Sequence, residues 1–321
     1  MLYPMKLKAP LKDYLWGGKR LKEEYHKETE LDKVAESWEL SCHPDGMSVI
    51  ANGAAQGKTL AQYIEEQGAG ILGKRAAGFP YFPLLIKFID ARDNLSVQVH
   101  PDNAYALREE GGYGKTEMWY VMDCEPDAAL IYGFKEDLSQ EEFARRIAAG
   151  TLLEVCNRVP VKKGDVFFIE AGTLHAIGAG MLICEIQQSS NTTYRVYDYG
   201  RLGNDGKPRD LHVDKALAVT CRQRPARQPG ALAELTVFTD ADVQLLAACE
   251  YFTVYHFALK GCCPLQCGQE AFQVLTVLAG EAGLTTEGGS LSLGKGETVF
   301  LPAGLGRYRV EGQGEFILST L

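Results

Sequence analysis

Histidine is scarce in this sequence, with six among 321 residues. Long apolar runs are absent: no stretch approaches the roughly 18 consecutive apolar residues of a spanning helix. The first residues, MLYPMKLKAPLKDYLW, break their apolar character with Lys, Pro and Asp every few positions. They lack the core of a secretory signal, so a cytoplasmic location with no membrane partner is expected. Positive charge is not in excess either. The formal net charge of −9 argues against a nucleic-acid partner, because a backbone binder needs a basic face to release counterions. An anionic ligand must then be held by a few placed cations rather than by the overall field. The nine cysteines are an odd number scattered from Cys42 to Cys267, in a chain long enough to need no covalent staples. They read as reduced thiols. Cys262, Cys263 and Cys267 cluster between Gly261 and Gly268 in an expected turn, without a histidine at finger spacing, and no metal role is assigned to them.

What is there is globular: 46% hydrophobic and 23% charged residues. At about 150 residues per domain the length suggests two domains. Short β-type runs dominate, at 83–89, 95–99, 118–122, 166–169, 182–186, 273–278 and 298–301, many bounded by Gly, Asn, Asp or Pro, as in an all-β barrel or sandwich. Helices are secondary. Leu60, Tyr63, Ile64 and Ile71 make an apolar stripe at helical spacing. Ser139 and Glu142 form a capping-box pattern before a helix closed by Gly150, Thr151 and Glu154 open a second turn, and a third helix is expected over 212–220. The polar, Pro-containing RQRPARQPG at 222–230 is the expected linker, which places domains at 1–230 and 231–321.

Setting 164–175 against 296–307 reveals an internal repeat: GDVFFIEAGTLH matches GETVFLPAGLGR. Each copy reads as a Gly turn, a strand, a second tight turn and the first residue of the next strand, aimed inward. That inward residue is His175 in the first copy and Arg307 in the second, which predicts a metal site in the first module only. The pattern resembles the second sequence motif of the cupin family, with Glu170 where the family usually has Pro. The resemblance implies a mainly β chain of two cupin-like jelly-roll barrels with a few short helices. Residues 1–230 would be the catalytic, metal-binding domain with small helical insertions, and residues 231–321 a second cupin-like domain without the ligands.

A protein metal site must draw on His26, His43, His100, His175, His212 and His256. In SVQVHPD, Gln98 and His100 are two apart, so on a strand they share one face. Glu117 opens the run EMWYVMD, and His175 follows the Gly172 turn. Two imidazoles, one carboxylate and one amide oxygen suit a divalent ion such as Zn²⁺, one per chain, with room left for water or substrate, although the set also admits other divalent metals.

The blocks LIKFIDARDNLSVQVHPDNAYA, GKTEMWYVMD, AGTLHAIGAG and QSSNTTYRVYDYGR, in that order, resemble the type I mannose-6-phosphate isomerase family, in its short bacterial form. ESWELSCHPDGMSVIANG and DYLWGG extend the match to roughly residues 3–220. The family's zinc ligands carry over onto Gln98, His100, Glu117 and His175, the same four residues that the spacing selects. The implied reaction interconverts mannose 6-phosphate and fructose 6-phosphate, moving a proton between C1 and C2 through a cis-enediol. Arg195 matches the family's catalytic arginine, and its permanent charge suits an enediolate. Lys115, two residues before Glu117, is expected on the ligand's side and is read as substrate-binding. Arg201 and Lys87 are weaker phosphate candidates. The proton-transferring base stays open among a pocket Glu, a pocket Lys and a metal-held water. The expected partner is a small sugar phosphate, and the expected assembly a monomer or homodimer. Two other readings compete: an iron-dependent cupin oxygenase, and a non-catalytic cupin that binds sugar phosphates.

Overall fold

The computed structural model describes residues 2–203 and 206–321. The first module is a sandwich. A five-stranded sheet runs in the order Cys156–Pro160, Ala129–Phe134, His175–Ala176, Val97–Val99 and Tyr194–Tyr197. It faces a six-stranded sheet ordered Val166–Ile169, Glu117–Cys124, Met181–Gln188, Leu84–Ala91, Glu36–Leu40 and Leu11–Lys12. All the pairings in both sheets are antiparallel.

Strand alternation explains the layering. In the six-stranded sheet Trp119, Val121, Ile183 and Ile89 point toward the facing sheet, where they meet Leu130, Tyr132 and Ile177. Met118, Tyr120, Cys184, Ile186 and Phe88 point the other way, onto Phe252, Val254, Phe272 and Phe300 of the second module. This sheet is therefore covered on both faces, and its strands read as near-continuous apolar runs although they pair antiparallel. A polar residue on its inner face has no route to bulk water except through the space between the sheets. The outer face of the five-stranded sheet, with Val97, Val99, Leu174 and Tyr194, is covered by Phe143 and Ala216. Those two residues belong to helices Gln140–Ala148 and Val213–Val219.

The second module is a ten-stranded sheet among the described residues. Its core of Phe257, Leu275, Val277, Tyr308, Val310 and Phe316 is apolar. Met5–Lys8 of the N-terminal segment joins this sheet, with Met5 opposite Phe300. Residues 222–230, the expected linker, contain no helix or strand.

The repeat is visible in the backbone. Val166–Ile169 and Thr298–Leu301 are strands at matching positions. The glycines bounding them, Gly164 and Gly172 in one copy and Gly296 and Gly304 in the other, have φ of 89°, 88°, 84° and 83°. The inward placement of Arg307 does not hold. Strand Gly306–Thr320 starts one residue before it, and alternation then sends Tyr308 and Val310 into the core and leaves Arg307 exposed. Two local expectations also change. Cys262–Cys267 is a strand paired to Gly306–Thr320 rather than a turn. At the Ser139 cap the hydroxyl accepts from the Glu142 N–H at 3.1 Å. The Glu142 carboxylate does not complete the box, because Arg145 and Arg146 engage it.

Gly172 links this frame to the site. A Cβ there would meet the Val219 carbonyl oxygen at 3.0 Å, at a positive φ that L side chains rarely adopt. Gly172→Ala is expected to destabilise the fold by about 1–2 kcal/mol, measured by urea unfolding. An unchanged midpoint would show that the turn tolerates a side chain.

Candidate metal centre and active site

His100 lies just beyond strand Val97–Val99 and before Pro101, which favours extended backbone in the preceding residue. Asp102 then caps helix Asn103–Glu109 by accepting from the Tyr105 N–H at 2.8 Å, so the chain leaves the site at once. His175 opens the adjacent strand, directly opposite Gln98 in register. The Gly172 N–H donates to the His100 carbonyl at 2.8 Å, tying the two histidine segments together. Glu117 opens a strand of the facing sheet. The four predicted donors thus come from both halves of the sandwich and meet between them.

His100, Glu117 and His175 offer ligand atoms that all lie within 4.8 Å of one another, the one such group among the described residues. Glu117 Oε1 is 3.4 Å from His175 Nε2 and 3.8 Å from His100 Nε2. Gln98 Nε2 is 3.4 Å from His175 Nε2; a half-turn of the amide would present Oε1 at the same place. Each imidazole donates its Nδ1 hydrogen to a backbone carbonyl, His100 to Thr192 and His175 to Thr173, both at 2.8 Å. Those bonds fix the tautomer that leaves Nε2 as a lone pair facing its neighbours. His100 Nε2 and both Glu117 oxygens are buried without a hydrogen-bond partner. Lys115 Nζ lies 2.7 Å from Glu117 Oε2 as a charge pair that lacks hydrogen-bond angles. Buried polar atoms are normally satisfied. Three orphaned acceptors drawn together, beside two rings whose far nitrogens are already hydrogen-bonded, fit a divalent metal ion.

Electrostatics carry the same message. Burial pushes the His100 pKa well below its usual value, helped by Lys115 and His175, and brings His175 down to about 4. Both are therefore neutral ligands at pH 7. Burial, followed by the charge of Glu185, pushes Glu117 up. Burial opposes ionisation of Glu185 as well, but Lys115, Lys87 and the Trp119 indole N–H outweigh it and hold that carboxyl low.

Beside the donors lies a cavity of about 280 Å³ lined by Gln98, Lys87, Lys115, Glu185, Arg195 and Arg209, among others. Lys115 Nζ is 3.6 Å from Glu185 Oε1, and Lys87 Nζ is 3.5 Å from both Glu185 Oε1 and Glu36 Oε2. Trp119 Nε1 donates to Glu185 Oε2 at 3.0 Å. Arg195 is opposite Gln98 in register, with its Nη1 donating to the Asp210 carbonyl at 2.9 Å. Burial, and then the charges of Arg209 and Arg201, lower its pKa, though a guanidinium stays charged at any working pH. Arg201 is tied to Asp198 and to the Asn94 carbonyl.

The chain aligns over 99% of its length with the mannose-6-phosphate isomerase of Streptococcus mutans, at 39% identity and covering 98% of that protein. The chain belongs to the type I mannose-6-phosphate isomerase family. Residues 4–124 match the catalytic domain of type I phosphomannose isomerase, and residues 242–321 the cupin domain of mannose-6-phosphate isomerase. A Bacillus subtilis mannose-6-phosphate isomerase is 37% identical, with 99% of each chain aligned. The crystal structure of mannose 6-phosphate isomerase from Bacillus subtilis superposes with a TM-score of 0.90 at 33% identity, over 99% of both chains. Phosphomannose isomerase from Salmonella typhimurium, at 18% identity and a TM-score of 0.79, shares the fold. The enzyme is an aldose–ketose isomerase acting on a small sugar phosphate, with a buried site for a divalent metal. These matches favour neither the oxygenase nor the sensor reading. No helix among the described residues is long and apolar enough to cross a membrane.

Sequence reasoning passed over Glu185 and Glu36 and left Lys87 as a weak candidate. A signal for Lys87 and Glu185 existed in the charges inside the strands LLIKFIDA and MLICEIQQ, which must face something polar if the strand is buried. Once this isomerase is stripped of metal, its histidines should make it acid-sensitive. The unfolded chain protonates His175 near pH 6.5, whereas the folded one waits until about pH 4, so the stability present above pH 6.5 is lost as pH falls toward 4. His175 alone should cost roughly 2 kcal/mol between pH 7 and pH 5, read from urea midpoints of chelated protein. Equal midpoints would contradict the buried neutral pair.

Proposed function

We propose that the enzyme interconverts mannose 6-phosphate and fructose 6-phosphate with one zinc ion held by Gln98, His100, Glu117 and His175, while Arg195 and Lys115 act on the substrate. The observation that carries this reading is the orphaned donor set at one wall of a cavity whose other walls bear Lys87, Lys115, Glu185 and Arg195. Two imidazoles, a carboxylate and an amide oxygen suit zinc with a position left open. When bound, a divalent cation polarises the C1 and C2 oxygens of the open-chain sugar or holds that chain in place.

The protein's own part is to manage the carbon-bound proton and one developing charge. Isomerisation removes the proton on C2 and returns it to C1 while the hydroxyl proton passes from O2 to O1, or the reverse, and negative charge grows on the enediol oxygens. Arg195, permanently cationic and beside Gln98, is positioned to stabilise that charge. Glu185, whose carboxylate faces the cavity beside the Lys115 ammonium, is the group that can take the proton and return it. Lys87 and the Trp119 indole hold Glu185 in place from its other side. The Lys115 ammonium also reaches a sugar hydroxyl from the rim of the donor set.

A coupled assay on mannose 6-phosphate separates the roles. His175→Ala should lose both bound metal and activity, and chelation should do the same to the unmodified enzyme. Arg195→Ala should keep its metal and lose about 100-fold in kcat, the scale of removing one donor to a developing oxyanion. Full activity in Arg195→Ala would refute the role given to this residue, and activity surviving removal of all metal would refute the metal-assisted reading.

A further inference from the structure

The cations around the cavity are not equally engaged. Lys87 sits between Glu36 and Glu185, and Lys115 between Glu117 and Glu185, so both ammonium groups are matched by buried carboxylates. The segment after Tyr194–Tyr197 is different. Asp198, 5% exposed, faces two guanidinium groups, those of Arg201 and Arg209, and the charges of both also bear on Arg195. Three arginines therefore face one buried carboxylate, Asp198, and one exposed one, Asp210, in a chain whose net charge is −9. Such a local surplus of positive charge favours an anionic guest.

Geometry selects one of the three. Arg201 is not on the cavity wall; its Nη1 donates to the Asn94 carbonyl, its Nη2 to Asp198, and its guanidinium lies 5.4 Å from the Tyr199 ring centroid. Arg195 lies beside Gln98, where the enediolate charge develops. Arg209 lines the cavity next to Arg195. Its Nε and Nη2 form a two-pronged pair with Asp198 at 2.7 and 2.6 Å, while its Nη1 makes no hydrogen bond among the described residues. Arg195 Nε is buried without an acceptor.

The loop presenting Arg209 is anchored at several points. Its ends are clamped where the His212 N–H donates to the Arg195 carbonyl at 2.7 Å and the Arg195 N–H to His212 Nδ1 at 3.1 Å. Leu202 bridges to Pro208, and the carbonyl of Asp210, next in sequence to Arg209, accepts from Arg195 Nη1.

We infer that Arg209 is the substrate-binding residue for the phosphate of the sugar, taking it on the free edge of a guanidinium that Asp198 holds in place. Arginine matches phosphate geometry with paired donors, and preorganisation by Asp198 lowers the entropy lost on binding. The inference rests on the sugar-phosphate reading above, and it assigns Arg209 to binding rather than to the proton transfer.

The test uses the metal-loaded full chain and the variants Arg209→Met and Arg209→Lys. Steady-state kinetics on mannose 6-phosphate should show KM raised about tenfold or more in Arg209→Met with kcat within about threefold, the pattern of lost uniform binding. Inorganic phosphate, as competitive inhibitor and as calorimetric ligand, should weaken by the same factor, with metal content unchanged. Arg209→Lys keeps the charge facing Asp198 but not the fork, and should fall between the two; it carries the test alone if Arg209→Met does not fold. Unchanged KM and phosphate affinity would overturn the assignment, as would a fall in kcat at constant KM. Calorimetry with inorganic phosphate needs no turnover. Loss of phosphate binding in the variants would therefore uphold the subsite even if the unmodified enzyme left mannose 6-phosphate untouched. An active unmodified enzyme whose variants bind phosphate normally would sink the subsite and leave the reaction standing.

Discussion

The constraint on which the rest depends is a group of acceptor atoms buried without a hydrogen-bond partner. His100 Nε2 and both oxygens of Glu117 meet between two sheets, and the sheet carrying the carboxylate is covered on its other face by the second module. Desolvation on this scale is unfavourable unless a cation compensates it. The surroundings are arranged for that compensation: the Thr173 and Thr192 carbonyls orient the rings, and the Gly172 N–H joins the two histidine segments. A divalent ion would supply the missing charge and reverse the burial effect that raises Glu117.

From that centre the charge order of the pocket follows. Lys115, Glu185, Lys87 and Glu36 form a row of alternating sign along the inner face of the six-stranded sheet, so removing any member leaves a neighbour uncompensated in a low-dielectric space. Glu36, Lys87 and Glu185 stand on paired strands, and Lys115 on the segment that leads into strand Glu117–Cys124. Across the cavity Arg195 sits on a strand and Arg209 on a clamped loop. The row of buried charges and the two arginines therefore line one cavity beside the candidate metal donors.

Much of this was legible in the sequence because the relevant signals are local. The spacing of Gln98 and His100, the glycine turn before His175 and the duplicated turn-strand-turn of 164–175 and 296–307 are all short-range patterns, and the strand at 166–169 and its repeat at 298–301 appear where they were expected. Arg307 was misplaced by pushing the repeat one position too far: the second copy keeps the turn but restarts its strand with the opposite alternation. Glu36 and Arg209 were not legible, because their significance depends on which charges face them across sheets and loops. Lys87 and Glu185 left a trace as charges inside largely apolar strands. The joining of Met5–Lys8 to the second module's sheet is a long-range pairing that no local pattern encodes.

The account turns on whether one cation sits where the orphaned acceptors converge. The most direct measurement is an anomalous difference map, from crystals of the metal-loaded enzyme, collected on either side of the zinc absorption edge. The account predicts a single strong peak per chain bonded to Gln98, His100, Glu117 and His175, vanishing below the edge. A map without density among those four side chains, or with the peak held by other residues, would contradict it.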